Sequence, residues 1–309
     1  MEKVVVLGAK GRFGRAAVRG FSDAGWAVVR AGRGLSGPAC VDVDVTDVAA
    51  TIRACDGADV IVNAVHPPYH LWTQTVPQIT TSVIAAAKAS GASVMIPGNV
   101  YNYGRNLPSV LHEDTPWVGN TRKGDIRIRM ESTYRDSGVR TIVLRGGDFL
   151  EAAQTGNWFD SYIADKVGQG KITYPGPLDR VHEWAYLPDM ARAMVQLAVV
   201  RHRFDPFEQF GFPGYALTGA QLIEHVEHTV GRPLRRSRFP WLAVRVMGLW
   251  SPLMREVLEM RYLWDRPHAI DGTKLNAVLP DFQATPIEDA IAICVSEQTE
   301  AYGGEPKNA

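Results

Sequence analysis

The chain has 309 residues, 46% of them hydrophobic and 21% charged, which allows one large core with an appended lobe and is too little for three domains. Lysine plus arginine number 33 and aspartate plus glutamate 33, so the net charge is zero; a protein built to grip nucleic acid or an anionic membrane is disfavoured, and small ligands stay open. Three cysteines, Cys40, Cys55 and Cys294, make no CxxC and no disulfide framework, which fits a reducing cytoplasm.

The opening MEKVVVLGAKG has neither the cationic stretch nor the long apolar region of a signal peptide and reads as a strand. From there β-branched runs alternate with Ala-rich helical stretches: Lys3 to Leu7, Arg12 to Asp23, Ala27 to Ala31, Thr46 to Cys55, Val60 to Ala64, Ile79 to Ser90 and Ser93 to Pro97. That rhythm predicts an α/β fold, a doubly wound parallel sheet of the Rossmann type. VVVLG, VIVNA and TIVLRG are apolar throughout, as strands covered by helices on both faces should be.

After Gly147 the rhythm gives way to Trp, Pro, Gly and aromatics, and one long helix, Leu187 to Val200, returns. From Phe204 onward short helices are expected between FGFPGY, GRPLRR, SPL and DRP. The expected division is a dinucleotide-binding domain of residues 1–147 plus about 186–215, and a smaller, mostly helical C-terminal substrate lobe of 148–185 plus 216–309. No repeat is present, the final GGEPKNA looks frayed, and the apolar run from Phe239 to Met254 is broken by Arg245, so no membrane span is expected.

The first strand runs into Gly8-Ala-Lys-Gly11-Arg-Phe-Gly14 and then a helix, which places the glycines at a strand-to-helix turn where bare amides and a helix tip meet a pyrophosphate. The candidate phosphate-binding set is Gly8, Lys10, Gly11, Arg12, Phe13 and Gly14. An NAD site ends its second strand with an acid for the ribose 2′-hydroxyl, whereas Ala27-Val-Val-Arg30-Ala-Gly-Arg33 has none, so NADP is expected in preference to NAD. Arg30 and Arg33, helped by Lys10 or Arg12, would pair with the 2′-phosphate; solvated loop charges are the plainer reading.

The GxxGxxG spacing resembles the extended and atypical branches of the short-chain dehydrogenase/reductase superfamily. The resemblance implies that Asp44 and Val45 meet the adenine and that Asn63, Ala64 and Val65 line the ribose and nicotinamide side. It also implies a Tyr-x-x-x-Lys pair with a preceding Ser. Here the turn Val100-Tyr-Asn-Tyr-Gly104 puts Asn99 at the Ser position, and Glu131 marks a helix that puts Lys123 at the Tyr position and Arg127 at the Lys position. The usual triad is absent. The segments around Pro67 to Trp72, Asn99 to Gly104, Arg122 to Arg127, His182 to Asp189 and Met260 to Asp265 are similar to a bacterial subgroup of atypical members known loosely as NAD-dependent epimerase/dehydratase. The superfamily further implies a two-fold dimer through a shared helix pair.

Positions 123, 127 and 131 fall on one helix face, which would aim Lys123 and Arg127 at the same place. Three readings of Lys123 stand: an acid/base whose pKa is depressed by Arg122 and Arg127; a fixed cation that with Arg127 binds the nicotinamide ribose and an acidic substrate while Tyr101, Tyr103 or His66 handles protons; or a solvated helix face on which Arg127 pairs with Glu131. His66, Tyr69, Trp72, Tyr101, Tyr103 and Phe149 would wall an apolar substrate pocket. Tyr162 to Lys166 matches Tyr-x-x-x-Lys as a string but is expected on a lobe helix, His225 and His228 on a helix surface, and no metal site is expected. Arg232, Arg235, Arg236 and Arg238 are either an exposed charge run or a grip for an anionic substrate, and Trp241 to Met254 a pocket cap or protein contact.

These readings converge on NADP-linked hydride transfer to or from a small carbonyl or hydroxyl compound, with Asn99 polarising the oxygen. A catalytically silent NADP sensor and a sugar-nucleotide epimerase/dehydratase are the alternatives.

Overall fold

The structure, a computed structural model, describes residues 1–303, with side chains described through residue 296. The frayed tail expected at the C-terminus lies, from residue 304 on, outside the described residues.

The chain runs through β1 (Lys3–Leu7), α1 (Arg12–Asp23), β2 (Ala27–Gly32), β3 (Cys40–Asp42), α2 (Val48–Ala54), β4 (Val60–Asn63), α3 (Trp72–Ser90), β5 (Ser93–Gly98), β6 (Val110–Leu111), α4 (Arg122–Asp136) and β7 (Thr141–Arg145). It continues with β8 (Asp148–Leu150), β9 (Lys171–Tyr174), β10 (Val181–Tyr186), α5 (Leu187–Val199), β11 (Phe207–Gly211), β12 (Tyr215–Thr218), α6 (Gly219–Val230) and β13 (Arg235–Arg238). The last elements are α7 (Trp241–Met247), α8 (Pro252–Glu259), α9 (Tyr262–Asp265), β14 (Ala269–Ile270), α10 (Thr273–Val278) and α11 (Ile287–Gly303).

Seven parallel strands form the main sheet in the order β11-β7-β5-β4-β1-β2-β3. Alternation of side chains splits each strand between two cores. Val5, Ile61, Val94 and Val143 feed the core under α2, α3 and α4, whereas Val4, Val62, Met95 and Ile142 feed the one under α1 and α5. Both faces are dry, which is why these strands carry unbroken β-branched runs. Strand order reverses between β1 and β4, and the crevice at their carboxyl ends is where ligands bind in such sheets.

Three expectations from sequence are corrected. The helix expected from Ile79 begins at Trp72 and runs through Pro77, because burying Trp72 and Val76 against the sheet outweighs the one hydrogen bond a proline removes near a helix start. The region after Phe204 is not helices alone: β11 becomes the seventh strand of the main sheet, and β12 joins β10 and β8 in a second sheet. Tyr162 and Lys166 do not share a helix, since a single π turn covers Phe159–Ile163 and Lys166 follows it. The lobe has its own core, built around Phe159, Tyr174, Trp184, Leu222 and Trp264.

Candidate active site

The glycine turn leaves no room for side chains. Gly8 sits at φ +77°, and a Cβ there would lie 2.8 Å from the Ala64 carbonyl oxygen; a Cβ on Gly14 would lie 2.1 Å from the Gly8 oxygen. The turn is pinned by Gly8 N–H donating to Ala31 O (2.9 Å) and Gly11 N–H donating to Gly8 O (2.9 Å). Gly11 is the N-cap of α1 and supplies no side-chain cap, so the first-turn amides face the crevice with the positive end of the helix behind them. Phe13 is buried beneath the turn. The two basic residues of the loop are engaged elsewhere: Lys10 Nζ donates to Arg33 O (3.0 Å) and Gly34 O (2.6 Å), and Arg12 Nη2 reaches the lobe at Thr155 O (3.1 Å) and Gly156 O (2.7 Å). Arg12 therefore stitches loop to lobe instead of joining Arg30.

At the end of β2 the acids nearby are already bonded. Asp42 Oδ1 accepts from Gly34 N–H (2.7 Å), and Asp44 Oδ1 from the amide and hydroxyl of Thr46, bonds that with the charge of Arg33 hold Asp44 below the ordinary carboxylate range. Arg30, exposed, donates to Pro38 O (3.0 Å), and Arg33 is exposed beside it. Val45 is buried.

Beyond β4, Asn63 Nδ2 donates to Tyr134 Oη (3.0 Å), and Ala64 and Val65 back the glycine turn. His66 is exposed by surface area, yet the bulk of protein around it, then the guanidiniums of Arg12 and Arg127, lower its pKa to about 4, so the ring is neutral near pH 7. Its ring meets Tyr69 and Trp72 edge-on at 5.1 and 5.3 Å. The Tyr69 and Tyr101 hydroxyls are 3.1 Å apart, and burial raises both phenol pKa values, that of Tyr101 furthest. Asn99 Oδ1 accepts from Tyr101 N–H (3.1 Å), which leaves its amide hydrogens for a ligand.

Two members of the expected wall stand apart: Tyr103 turns towards Arg145 and His112, and Phe149 packs partly against the core under α1. Trp72, buried with Nε1 donating to Pro67 O (2.9 Å), stays against His66, Tyr69 and Tyr101.

On α4, capped by Thr121, the residues Lys123, Arg127 and Glu131 share the buried face. They do not converge. Lys123 Nζ donates to Glu256 Oε2 (2.5 Å), Glu259 Oε2 (2.7 Å) and Glu256 O (3.1 Å), all on α8, which takes up its three hydrogens. The expected crowding of Lys123 by Arg122 and Arg127 is corrected: Arg122 also binds Glu256, and Arg127 donates to Glu131 Oε1 (3.0 Å) and Pro97 O (3.2 Å). Glu131 also accepts from Arg145 (2.8 Å), and the two guanidiniums keep this buried carboxyl ionised below its ordinary range despite the cost of burial. Arg127 Nε is buried with no hydrogen-bond partner.

Sequence reading missed four residues of the site. Asp148, at the start of β8, accepts from His182 Nε2–H on β10 at 2.7 Å, and its charge adds to the raised phenol pKa values of Tyr69 and Tyr101. His182 stacks on Trp264 at 4.2 Å, with planes 2° apart. Asp148 and His182 lie 34 positions apart and no spacing rule links them. Glu256 and Glu259 were missed for the same reason.

Comparison with known proteins gives the family and the fold. The model of the NAD dependent epimerase/dehydratase family matches residues 4–209. Among curated proteins none matches the chain. Similar solved structures include MoeE5 in complex with UDP-glucuronic acid and NAD, 16% identical over 97% of this chain and 100% of that one, with a TM-score of 0.76. The UDP-glucose-4-epimerase of Stenotrophomonas maltophila, with bound NAD and formylated UDP-arabinopyranose, is 15% identical over 98% and 99%, with a TM-score of 0.76. That of Bifidobacterium longum, in complex with NAD+ and UDP, is 17% identical over 98% and 99%, at 0.73. At these identities the likeness is one of fold.

Proposed function

The chain belongs to the NAD-dependent epimerase/dehydratase family, as an atypical short-chain dehydrogenase/reductase without the Tyr-x-x-x-Lys pair, and from that premise we propose that it binds NADP and exchanges hydride with a small carbonyl or hydroxyl compound. The observation that carries this reading is the uncapped tip of α1 behind a turn closed to any side chain at Gly8 and Gly14. On this reading residues 1–147 with about 186–215 hold the dinucleotide and 148–185 with 216–309 the substrate. The free thiols suit a reducing cytoplasm.

The residues we assign to the cofactor are the amides after Gly11 for the pyrophosphate, Arg30 and Arg33 for the 2′-phosphate, Asp44 and Val45 for the adenine, and Asn63 to Val65 with Arg127 for the nicotinamide ribose. When bound, the nicotinamide supplies or takes a hydride. The Asn99 amide hydrogens orient the substrate oxygen. Tyr101 and Tyr69, kept protonated by burial, would serve as donors: one phenol would give its proton to the substrate oxygen and would recover one from solvent by way of the Asp148–His182 pair. Lys123 fixes α8 as the wall of the cleft and, 5.0 Å over the Tyr69 ring, holds that ring in place. A sugar-nucleotide substrate is the second reading, favoured by the UDP-sugar complexes among proteins of like fold.

Calorimetric titration with NADP, NADPH and NAD tests this. NADP is expected to bind at least about tenfold tighter than NAD, each 1.4 kcal/mol being a factor of ten, and Arg33→Ala to remove that preference. Heat from NAD alone would overturn the NADP assignment, and no heat from any dinucleotide would overturn the whole reading. Cofactor that copurifies, with an absorbance change on adding UDP-glucose, would select the epimerase reading.

A further inference from the structure

The balanced charge of the whole chain conceals a local excess. Between Arg232 and Arg266 stand eight arginines against Glu256, Glu259 and Asp265, a surplus of five positive charges, and all eight arginines are exposed. Glu256 and Glu259 face inward to Lys123. Of the arginines, Arg236 pairs with Glu227 and Arg261 with Asp265, while Arg235, Arg238, Arg245 and Arg266 make no ion pair among the described residues.

The same segment carries the largest concentration of exposed apolar side chains. Leu242, Val246, Met247, Leu249, Trp250 and Leu253 are all solvent-facing, with Leu242 75%, Leu249 69% and Trp250 77% exposed. Leu242 and Val246 on α7, Leu249 and Trp250 in the turn and Leu253 on α8 form an exposed apolar stripe in chain order through the hairpin, with Leu249 and Trp250 in the turn at its tip. The hairpin is anchored at its base: Trp241 Nε1 donates to Pro175 O (2.6 Å), and α8 holds Lys123. An apolar surface of this kind, held rigidly in water, marks a contact site.

The charge says which contact. Cations of one sign around an apolar stripe with a tryptophan at its tip match an anionic bilayer surface, where aliphatic groups enter the headgroup boundary, the indole sits at the interface and guanidiniums pair with phosphates. Helices of 7 and 8 residues are too short to cross a bilayer, and no helix among the described residues is long and apolar enough to do so. We propose that the α7–α8 hairpin docks the protein on an anionic lipid surface through Leu242, Leu249 and Trp250, flanked by Arg235, Arg238 and Arg245. The inference does not depend on the proposed reaction.

The test is co-sedimentation of the full chain with extruded vesicles of phosphatidylcholine alone or of equal parts phosphatidylcholine and phosphatidylglycerol. The mixed vesicles are expected to carry down at least about tenfold more protein, with release at high salt. Leu249→Ser with Trp250→Ser, and separately Arg238→Ser with Arg245→Ser, should each lower binding about tenfold or more while leaving thermal unfolding unchanged. No binding to the mixed vesicles overturns the proposal, as does equal binding to both compositions that survives the variants. Self-association in sedimentation velocity, abolished by the Leu249 and Trp250 changes and accompanied by no vesicle binding, would assign the stripe to a second copy of the chain instead.

Discussion

The glycine corner and the Lys123 corner lie at the same carboxyl edge of the sheet and are built on opposite principles. At Gly8 to Gly14 every partner is close in sequence or on the next strand: Gly14 abuts Gly8, and Gly8 abuts Ala64. At Lys123 the partners are Glu256 and Glu259, 133 and 136 positions away. The first corner is a backbone shape that only certain residues permit; the second is a neutralised ion cluster that only the tertiary fold assembles. The lesson is that steric exclusion can be read locally, whereas charge compensation cannot.

Breaking the ion cluster should have the largest effect on stability. Lys123→Met leaves two carboxylates facing Arg122 alone in a mostly buried place, and a loss of about 3–5 kcal/mol is expected in urea unfolding. Adding Glu256→Gln and Glu259→Gln should recover much of it. A Lys123→Met protein within about 1 kcal/mol of the parent would show that α8 is held by something else, since such a clamp is normally worth more.

The matching break in the glycine corner is Gly14→Ala, whose methyl carbon would sit 2.1 Å from the Gly8 oxygen. A displaced turn, a loss of about 3 kcal/mol and the disappearance of dinucleotide heat are expected together. Retained affinity would mean the turn is not the binding element.

Two titrating groups sharpen the contrast between sheet crevice and lobe, with opposite signs. Glu183 on β10 is buried, accepts from Gly214 N–H and Ile270 N–H, and burial pushes its pKa from 4.5 to about 7. Between those values the folded state binds more protons than the unfolded one, so stability is fully present below pH 4.5 and falls as pH rises to about 7, by on the order of 3 kcal/mol. Comparing urea midpoints of wild type and Glu183→Gln across that window should show this slope only in the former. His66 behaves conversely: with its pKa lowered from 6.5 to about 4, its contribution is present above 6.5 and lost as pH falls through 4. An imidazole resonance of His66 titrating near 6.5 would show that the cleft does not surround it as described.

Much of the fold was legible because doubly wound sheets write their burial into the strands: Val4 to Leu7 and Val60 to Val62 are buried on both faces, and nothing but continuous apolar residues serves there. The start of α3 was not, since Pro77 reads as a boundary until the packing of Trp72 is known. In the site, Tyr101 beside Tyr69 could be anticipated from two aromatic segments at strand ends, but the 3.1 Å hydroxyl contact and the Asp148–His182 pair depend on how β8 and β10 come together.

By itself the sequence determined the sheet, the glycine turn and the loss of the Tyr-x-x-x-Lys pair, because backbone angles, strand burial and residue identity are local properties. The tertiary structure alone decided that Lys123 is clamped by α8, that Arg127 turns to Glu131, and that Asp148 meets His182. Those are distances between parts of the chain far apart in order, and only packing sets them.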